Sequence, residues 1–182
     1  RVLREDPAVK GLLYAGTENG MYVSYNDGAS WEAFQNNLPI VPITDLAVKD
    51  NSLIVATQGR SLWMVDDLTV LHQLLAGEKS SAKTARLFDP KDAYRTKGRG
   101  GRSSLTAGTN LPNGVITHFY LPEGMEKDSV VVNYHNAAGE VLASYSNKAK
   151  ERSKKLTLDK GANTFVWDTR GTGAERLDGM IL

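Results

Sequence analysis

The chain has 182 residues, of which 41% are hydrophobic, and its 22 basic and 21 acidic residues leave a net charge of +1. This balance gives no general attraction to nucleic acid or to an anionic membrane, and no apolar run reaches the ~20 residues that span a bilayer. The absence of cysteine excludes disulfides and a cysteine nucleophile, and three widely spaced histidines form no metal-binding pattern, so we expect neither a metal nor another cofactor.

Short β-prone runs separated by polar turns fill the first 90 residues. They lie at 12–16, 21–25, 31–34, 43–48, 53–57 and 62–65, and the chain already begins in such a run. LYAGTENGMYV (13–23) also aligns with LIVATQGRSLW (53–63) at an offset of 40, with Thr17 and Thr57 each just before a turn. A repeat of about 40–45 residues with four strands is typical of a β-propeller blade. Since a propeller needs about 4–8 blades, we expect an excerpt of a longer protein that carries its last two blades.

A helical pattern interrupts the strands at 66–77 (DDLTVLHQLLAG). Asp67 is suited to cap a helix, leucines recur at helical spacing, and Gly77 is suited to end it. The run TARLFD (84–89) is then predicted to return as the outer strand of the last blade. The Gly-, Ser-, Lys- and Arg-rich segments 76–83 and 90–112 are predicted to be linkers.

A second series of predicted strands begins near residue 113. Its five runs lie at 114–122, 129–137, 140–146, 154–161 and 163–169. This spacing favours an antiparallel sandwich of immunoglobulin or fibronectin type, with Trp167 in its core. The predicted fold class is therefore all-β, with blades at 1–89, a linker at 90–112, and an Ig-like sandwich at 113–182 that is incomplete at its C-terminus.

The segment SYNDGASW (24–31) resembles the Asp-box, or BNR repeat, of the pattern Ser-x-Asp-x-Gly-x-Thr-Trp. Asparagine and aspartate side chains accept hydrogen bonds from backbone amides two residues on, and glycine adopts positive φ without strain. We therefore expect a structural turn, with a carbohydrate- or metal-binding loop as the alternative. Its members are Ser24, Asn26 (where the family usually has Asp), Asp27, Gly28, Ser30 and Trp31, whose ring is expected to pack over the turn.

The resemblance extends over nearly the whole chain, to the last blades and the following Ig-like module of bacterial sortilin/VPS10-like Asp-box propeller proteins. It includes NNLPIVPITDLAV (36–48), ARLFDPKDAYR (85–95) and GANTFVWDTRG (161–171). These proteins are often labelled glycosyl hydrolases, so the resemblance implies a bacterial protein that is secreted, periplasmic or at the cell surface. Asp-box propellers include sialidases, xyloglucanases, receptors and scaffolds, and the resemblance therefore indicates architecture more than activity.

In such propellers the Asp-box joins the third and fourth strands, on the face opposite the binding mouth. The resemblance therefore places the mouth at loops 18–20, 35–42 and 58–60. Arg60 could clamp a carboxylate or sulfate with its bidentate fork, or instead pair with Asp45 or Asp66 to tie the blades together. The candidate ligand-binding residues are Glu18, Asn37, Asp45 and Arg60, of which Asp45, on an innermost strand, is a weak catalytic candidate.

Other chemical interpretations are weaker. Adjacent acids such as Asp66 and Asp67 point to opposite faces of a strand and cannot easily flank one glycosidic bond. RTKGRGGR (95–102) lacks the aromatic residues of a nucleic-acid-binding segment, so a solvated linker is favoured. A stripe of aromatic residues suits either a sandwich core or a sugar-stacking surface: Tyr120, Tyr134, Tyr145 and Trp167.

Three functions stay open at this point. The leading hypothesis is a non-catalytic segment that closes the propeller, with the Ig-like module as a spacer or a binding module for glycan or extracellular protein. The second is part of a glycoside hydrolase whose catalytic acids lie mainly in other blades. The third is a sortilin-like receptor propeller that binds peptides.

Overall fold

The computed structural model describes residues 1–76, 83–94 and 111–171. These residues form mostly antiparallel strands with one α-helix, in agreement with the all-β class. The chain divides into two compact units, Arg1–Ser80 and Ser81–Leu182. The basic segment 95–102, most of both predicted linkers and the C-terminal end of the predicted sandwich lie outside the described residues.

Two antiparallel sheets make up the first unit, and in each of them every strand pairs with the next one along the chain. The first sheet consists of β1 (Val2–Glu5), β2 (Leu13–Thr17), β3 (Gly20–Ser24) and β4 (Glu32–Ala33). The second consists of β5 (Ile43–Lys49), β6 (Ser52–Thr57) and β7 (Leu62–Val65). Each of the six β-prone runs predicted for this region overlaps one of these strands.

The two sheets repeat the same hairpin, and the threonines mark the equivalent positions. The Thr17 hydroxyl donates to the Gly20 carbonyl at 2.9 Å, and the Thr57 hydroxyl donates to the Ser61 carbonyl at 2.6 Å. The second loop is one residue longer, so Gly16 pairs with Met21 whereas Ala56 pairs with Leu62. The offset of 40 therefore holds for β2 and β6, but β3 and β7 are equivalent at an offset of 41.

One face of each sheet packs against the other sheet, because alternate residues along both hairpins are apolar and point to the same side. The packed face of the first sheet carries Tyr14, Gly16, Met21 and Val23, and that of the second carries Leu46, Leu53, Val55 and Trp63. The approach is close at Gly16. A Cβ there would lie 2.5 Å from Ile43 Cγ2 and 2.8 Å from Val2 Cγ1, so a side chain at this position would force the sheets apart.

The predicted helix is confirmed as α1 (Thr69–Ala76). The Asp67 carboxylate accepts a hydrogen bond from the Thr69 amide at 2.9 Å, which satisfies a backbone donor at the start of the helix. Leu71 and Leu75 pack against the layer between the sheets, while Leu74 stays exposed. The helix thus covers one end of the apolar layer with its leucine face.

The second unit has a three-stranded sheet and a separate hairpin. Its strands are β8 (Arg86–Leu87), β9 (Val115–Leu121), β10 (Val131–His135), β11 (Val141–Ser146) and β12 (Gly161–Trp167). The sheet order is β12-β9-β8, and β10 pairs with β11. Four of the five strands predicted for this region are therefore present, as small antiparallel sheets.

Two predicted strands are corrected by this topology. The TARLFD run does not complete a sheet of the first unit, because β8 pairs with β9 and the buried Phe88 donates its amide to the His118 carbonyl at 3.0 Å. The predicted boundary at residue 89 is consequently too late. The run 154–161 is not a regular strand: it makes one isolated parallel bridge, from Lys155 to Ser146, and after it the Asn163 side chain bonds the Asp159 amide and carbonyl and the Gly161 carbonyl.

Gly16→Ala is expected to lower the free energy of unfolding of the chain by about 1–3 kcal/mol, because the added methyl group overlaps Ile43 and Val2. Urea denaturation of both proteins measures the difference. Gly171→Ala is the control, because nothing lies within 4 Å of its Cβ position. Equal effects of the two substitutions would contradict the close approach of the sheets at Gly16.

Candidate functional site

The polar side chains of the 24–31 turn hydrogen-bond to one another and to the backbone of the same turn. The buried Ser24 hydroxyl donates to Asn26 Oδ1 at 3.0 Å and accepts a hydrogen bond from the Gly28 amide at 2.9 Å. Asn26 Oδ1 also accepts from the Ser30 amide at 2.8 Å, and its Nδ2 donates to the Ser30 hydroxyl at 2.8 Å. Two side chains therefore close the loop without a ligand.

The backbone of this turn needs the residues that occupy it. Asp27 and Gly28 have φ values of 58° and 85°, which glycine adopts freely and aspartate tolerates better than most residues. The Asp27 amide donates to the Gly11 carbonyl at 2.9 Å, and the Trp31 ring lies 3.9 Å from the Cβ position of Gly28. The loop joins the third and fourth strands of its sheet, and its geometry is that of a structural turn.

Three loops meet at the opposite end of the first sheet, and we call this surface the loop edge. Gln35 holds two of them together, because its Oε1 accepts from the Met21 amide at 3.1 Å while its Nε2 donates to two carbonyls of its own loop. The Gln58 amide donates to the Pro42 carbonyl at 2.9 Å and brings in the third loop. The loop edge comprises residues 18–20, 35–42 and 58–60, the three loops that the sequence predicts to be neighbours.

Asp45 ties the two sheets together. Its Oδ1 accepts from Arg4 Nη2 at 2.8 Å, and Arg4 Nε also donates to the Leu46 carbonyl at 2.9 Å. Pairing of Arg60 with Asp45 or Asp66 was one of the two expectations for this arginine, and it is wrong. The partner of Asp45 is Arg4, which lies closer because β1 and β5 are neighbours across the gap between the sheets.

The other candidate ligand-binding residues lie on the loop edge and are solvent-exposed. Glu18 forms an ion pair with Arg1 at the β2–β3 turn, and Asn37 lies in the loop after β4. The Arg60 side chain makes no ion pair with another described residue, while its carbonyl accepts from Trp63 Nε1 at 2.8 Å. The loop edge therefore gathers Glu18, Asn37 and Arg60 on one surface.

A buried carboxylate that the sequence did not single out lies beside the apolar layer. The Asp6 side chain is fully buried and accepts from the Tyr14 hydroxyl at 2.9 Å and from the Ala8 and Val9 amides at 2.8 and 3.2 Å. Its Oδ2 also lies 2.8 Å from His72 Nε2. Since an ionised carboxylate only accepts hydrogen bonds, Nε2 carries the proton. The cluster joins helix α1 to the first sheet.

The electrostatics of this cluster keep Asp6 charged. Burial raises the pKa of Asp6, but hydrogen bonds from His72, the Ala8 amide and Tyr14 outweigh it and hold the pKa below the ordinary value of 3.8. Burial and the hydrogen bond to Asp6 raise the pKa of Tyr14 far above its ordinary value. Near neutral pH the Asp6 carboxylate is thus ionised and the Tyr14 phenol is protonated. The hydrogen bond between them and the contact of Asp6 with His72 hold helix α1 against the first sheet.

Aromatic side chains pack together in the second unit. The Tyr134 ring lies 4.5 Å from the Trp167 ring and 6.2 Å from the Tyr145 ring, and Tyr145 lies 4.6 Å from Phe165. The Tyr134 hydroxyl is 2.7 Å from the Thr117 hydroxyl. Trp167 is partly buried in this cluster, whereas the buried hydrophobic residues of the unit are Phe88, Phe119, Leu121 and Leu156.

A cavity of about 640 Å³ opens beside this cluster. Tyr145 contributes an aromatic wall, and two opposite-charge pairs stand around it. Lys154 Nζ lies 3.1 Å from Glu151, and Arg170 Nε lies 3.6 Å from Asp168. An aromatic wall beside exposed donors and acceptors is suited to a polar ligand such as a saccharide.

Within the described ranges no group of three or more His, Asp or Glu side chains is placed to hold a metal ion. Among those residues, no helix has the length and apolar character needed to cross a membrane.

No protein-family model matches the chain, and neither a curated protein nor a solved structure matches it. The Asp-box family assignment therefore stays a prediction.

Ser24→Ala is expected to lower the free energy of unfolding by about 1–3 kcal/mol, because it leaves the part-buried Gly28 amide and Asn26 Oδ1 without their hydroxyl partner. Thermal or urea denaturation measures the loss. Ser30→Ala is the matched control and should cost less than about 0.5 kcal/mol, since Ser30 is exposed. A larger loss for Ser30→Ala than for Ser24→Ala would contradict this account of the turn.

Asp6→Asn is expected to lower stability at neutral pH by about 1–3 kcal/mol and to flatten its dependence on acid. Because the pKa of Asp6 is lowered on folding, its contribution is present above the ordinary value of 3.8 and is lost as the pH falls through the folded-state pKa. Urea denaturation from pH ~7 to ~2 measures both effects. Asp27→Asn, which removes an exposed carboxylate, controls for the change in net charge; an unchanged slope in Asp6→Asn would refute the argument.

Proposed function

We propose that this chain is a non-catalytic scaffold segment of an exported bacterial Asp-box propeller protein. In this proposal the first unit supplies two neighbouring blades of a larger ring. The second unit is an Ig-like module that acts as a spacer or binds glycan or extracellular protein. The observation that carries the proposal is the structural use of Asp45 and of the polar residues in the 24–31 turn.

Asp45 is the main example. A catalytic carboxylate of a glycosidase faces the scissile bond, with a second carboxylate about 5–9.5 Å away. Asp45 instead directs Oδ1 to Arg4 on the neighbouring sheet, while the same arginine binds the Leu46 carbonyl. Since this pair bridges the two sheets at neighbouring strands, its direct effect is on their alignment.

The arrangement of the loops supports the same proposal. The 24–31 turn lies at one end of the first sheet and the loop edge at the other, because β3 runs between them. One end of the sheet is therefore closed by a turn whose polar groups hydrogen-bond to one another, and the other end carries the exposed Glu18, Asn37 and Arg60. In a ring of such sheets, the loop edges would line up along one side and offer exposed polar groups to a ligand.

The cavity of the second unit supports a binding role for that unit. Saccharides commonly stack on an aromatic ring while their hydroxyls take hydrogen bonds from charged side chains. Tyr145, Lys154 and Arg170 provide both kinds of group around one opening. The cavity is wide and open, which suits a polymer chain or a protein loop better than a small enclosed ligand.

The expected result of removing Arg4 or Asp45 is a small loss of stability without loss of any catalytic activity. Asp45→Ala should cost about 0.2–1 kcal/mol, and Arg4→Ala should cost more because it also loses the bond to Leu46. A double-mutant cycle followed by urea denaturation should show that the two losses are coupled.

Asp45→Ala and Arg60→Ala test the rival hypothesis. The longer propeller protein that the proposal assumes is prepared with its wild-type sequence, with Asp45→Ala and with Arg60→Ala, each is incubated with a panel of bacterial and plant polysaccharides, and the release of reducing ends is measured. The proposal predicts no release above the buffer blank for any of them. Turnover by the wild type that Asp45→Ala abolishes, with its fold retained by circular dichroism, would establish a hydrolase instead.

A further inference from the structure

One edge of strand β11 lines the cavity of the second unit. Five consecutive residues of the strand, Val141–Tyr145, contribute to the cavity wall. Since a strand rises about 3.3 Å per residue, this wall is about 13 Å long, which is longer than one sugar ring. Val141 and Leu142 are 55% and 50% exposed and add apolar surface beside the Tyr145 ring. The cavity therefore has room for more than one unit of a polymer chain.

The backbone of β11 also offers hydrogen-bonding groups to the cavity. β11 pairs with β10 along one edge, and the Asn147 amide donates to the Val130 carbonyl at 3.3 Å on that side. Since alternate residues of a strand direct their backbone groups to opposite edges, Ser144 and Ser146 face the other edge. The Ser146 carbonyl agrees with this, because it accepts from the Leu156 amide at 3.0 Å. Among the described residues no strand pairs with Ser144 on that edge, so its amide and carbonyl are open to the hydroxyl groups of a ligand.

A basic loop, residues 147–155, forms the rim of the cavity beside this edge. It contributes Glu151, Ser153 and Lys154 to the cavity wall. The Asn147 side chain fixes the start of the loop by bonding two backbone groups of the segment before β10, at 3.0 and 2.7 Å. The loop carries five cationic side chains and a single carboxylate, all of them exposed: Lys148, Lys150, Arg152, Lys154, Lys155 and Glu151.

The charge around the cavity is therefore unbalanced. Asp168 and Arg170, which also line the cavity, add one charge of each sign. Together with the basic loop they leave an excess of four positive charges, whereas the whole chain has a net charge of only +1. The positive charge is thus concentrated at this surface, which favours a ligand that carries negative groups.

The two cations that line the cavity already contact carboxylates. Lys154 Nζ lies 3.1 Å from Glu151, and Arg170 Nε lies 3.6 Å from Asp168. All four side chains are more than half exposed, and ion pairs at such positions contribute little to stability. A carboxylate of a ligand can therefore bind the same ammonium and guanidinium groups, the latter through its planar fork.

From these features we propose that the second unit binds a polyuronate, a polysaccharide with a carboxylate on each sugar ring, along the free edge of β11. The inference rests on the proposed binding role of this unit and names its ligand. The sugar rings lie against the apolar wall of the cavity, and their hydroxyls bond the free backbone groups of Ser144. Their carboxylates bind Lys154 and Arg170.

An extended peptide is the other polymer that suits the edge of a strand. Natural edge strands use bulges and lysines against pairing with a further strand, and β11 has both. The register of the hairpin shifts between Tyr134 and His135, where Leu142 is the extra residue of β11. Lys154 lies on the cavity wall beside the same edge. A glycan places no strand backbone against this edge, so neither feature opposes it.

Titration calorimetry of the full chain with oligogalacturonate of defined length tests the proposal. The comparison ligands are a neutral oligosaccharide of the same length, poly-glutamate and dextran sulfate. The chain should bind oligogalacturonate at least about fivefold more tightly than each of these, because only that ligand joins sugar rings to carboxylates. Raising the salt concentration from ~50 to ~300 mM should weaken the binding, since salt screens exposed charges.

Lys154→Gln and Arg170→Gln should each weaken the binding of oligogalacturonate by about fivefold, because each removes a cation from the cavity. Lys148→Gln is the matched control. It removes the same charge from the same loop, but Lys148 Nζ donates to the Lys127 carbonyl at 3.0 Å and does not line the cavity. It should change the affinity by less than about twofold. All three variants should show wild-type circular dichroism, since the substituted side chains are exposed.

The inference is overturned if oligogalacturonate does not bind, if the neutral oligosaccharide binds as tightly, or if Lys154→Gln and Arg170→Gln both keep wild-type affinity. Equal or tighter binding of poly-glutamate would make an acidic peptide the ligand instead, and equal binding of dextran sulfate would indicate a site for any polyanion. None of these results reaches the proposed function, because a spacer needs no ligand. The proposed function is refuted separately, by release of reducing ends in the polysaccharide assay.

Discussion

An apolar layer lies between the two sheets of the first unit, and Gly16 sets how closely they approach. Each large side chain buried there contributes about 1.5–3 kcal/mol, so this layer is the main source of stability for the unit. The polar contacts depend on it for their positions. Tyr14 reaches Asp6 only because its ring is fixed in the layer, and Arg4 reaches Asp45 only because β1 and β5 are held side by side.

The same layer explains why the polar residues serve structure. Once the sheets are packed, a buried carboxylate such as Asp6 must be satisfied by neighbours, and Tyr14, His72 and two amides do this. Ser24 is satisfied within its own turn in the same way. The groups that remain available to a partner lie at the surface, on the loop edge and around the cavity of the second unit.

Much of this organisation could be predicted from the sequence, and the failures have identifiable causes. The strands of the first unit and helix α1 follow from alternation, turn residues and a capping aspartate, all of which are local. The assignment of 84–89 to the first unit failed because a two-residue strand carries no signal of which edge it will join. The strand predicted at 154–161 failed because the run makes only one bridge to β11, at Lys155, and then bonds its backbone to the Asn163 side chain.

The sequence by itself determined the all-β class, the repeated hairpin and the turn at 24–31, because each depends on residues close together in the chain. Only the tertiary structure decided the partner of Asp45, the Asp6–His72 contact and the assignment of each sheet face as packed or open. Asp6 and His72 are separated by 66 positions, and no local pattern pairs them. Alternation shows that a strand has an apolar face, but packing alone selects which face meets the neighbouring sheet and which stays free.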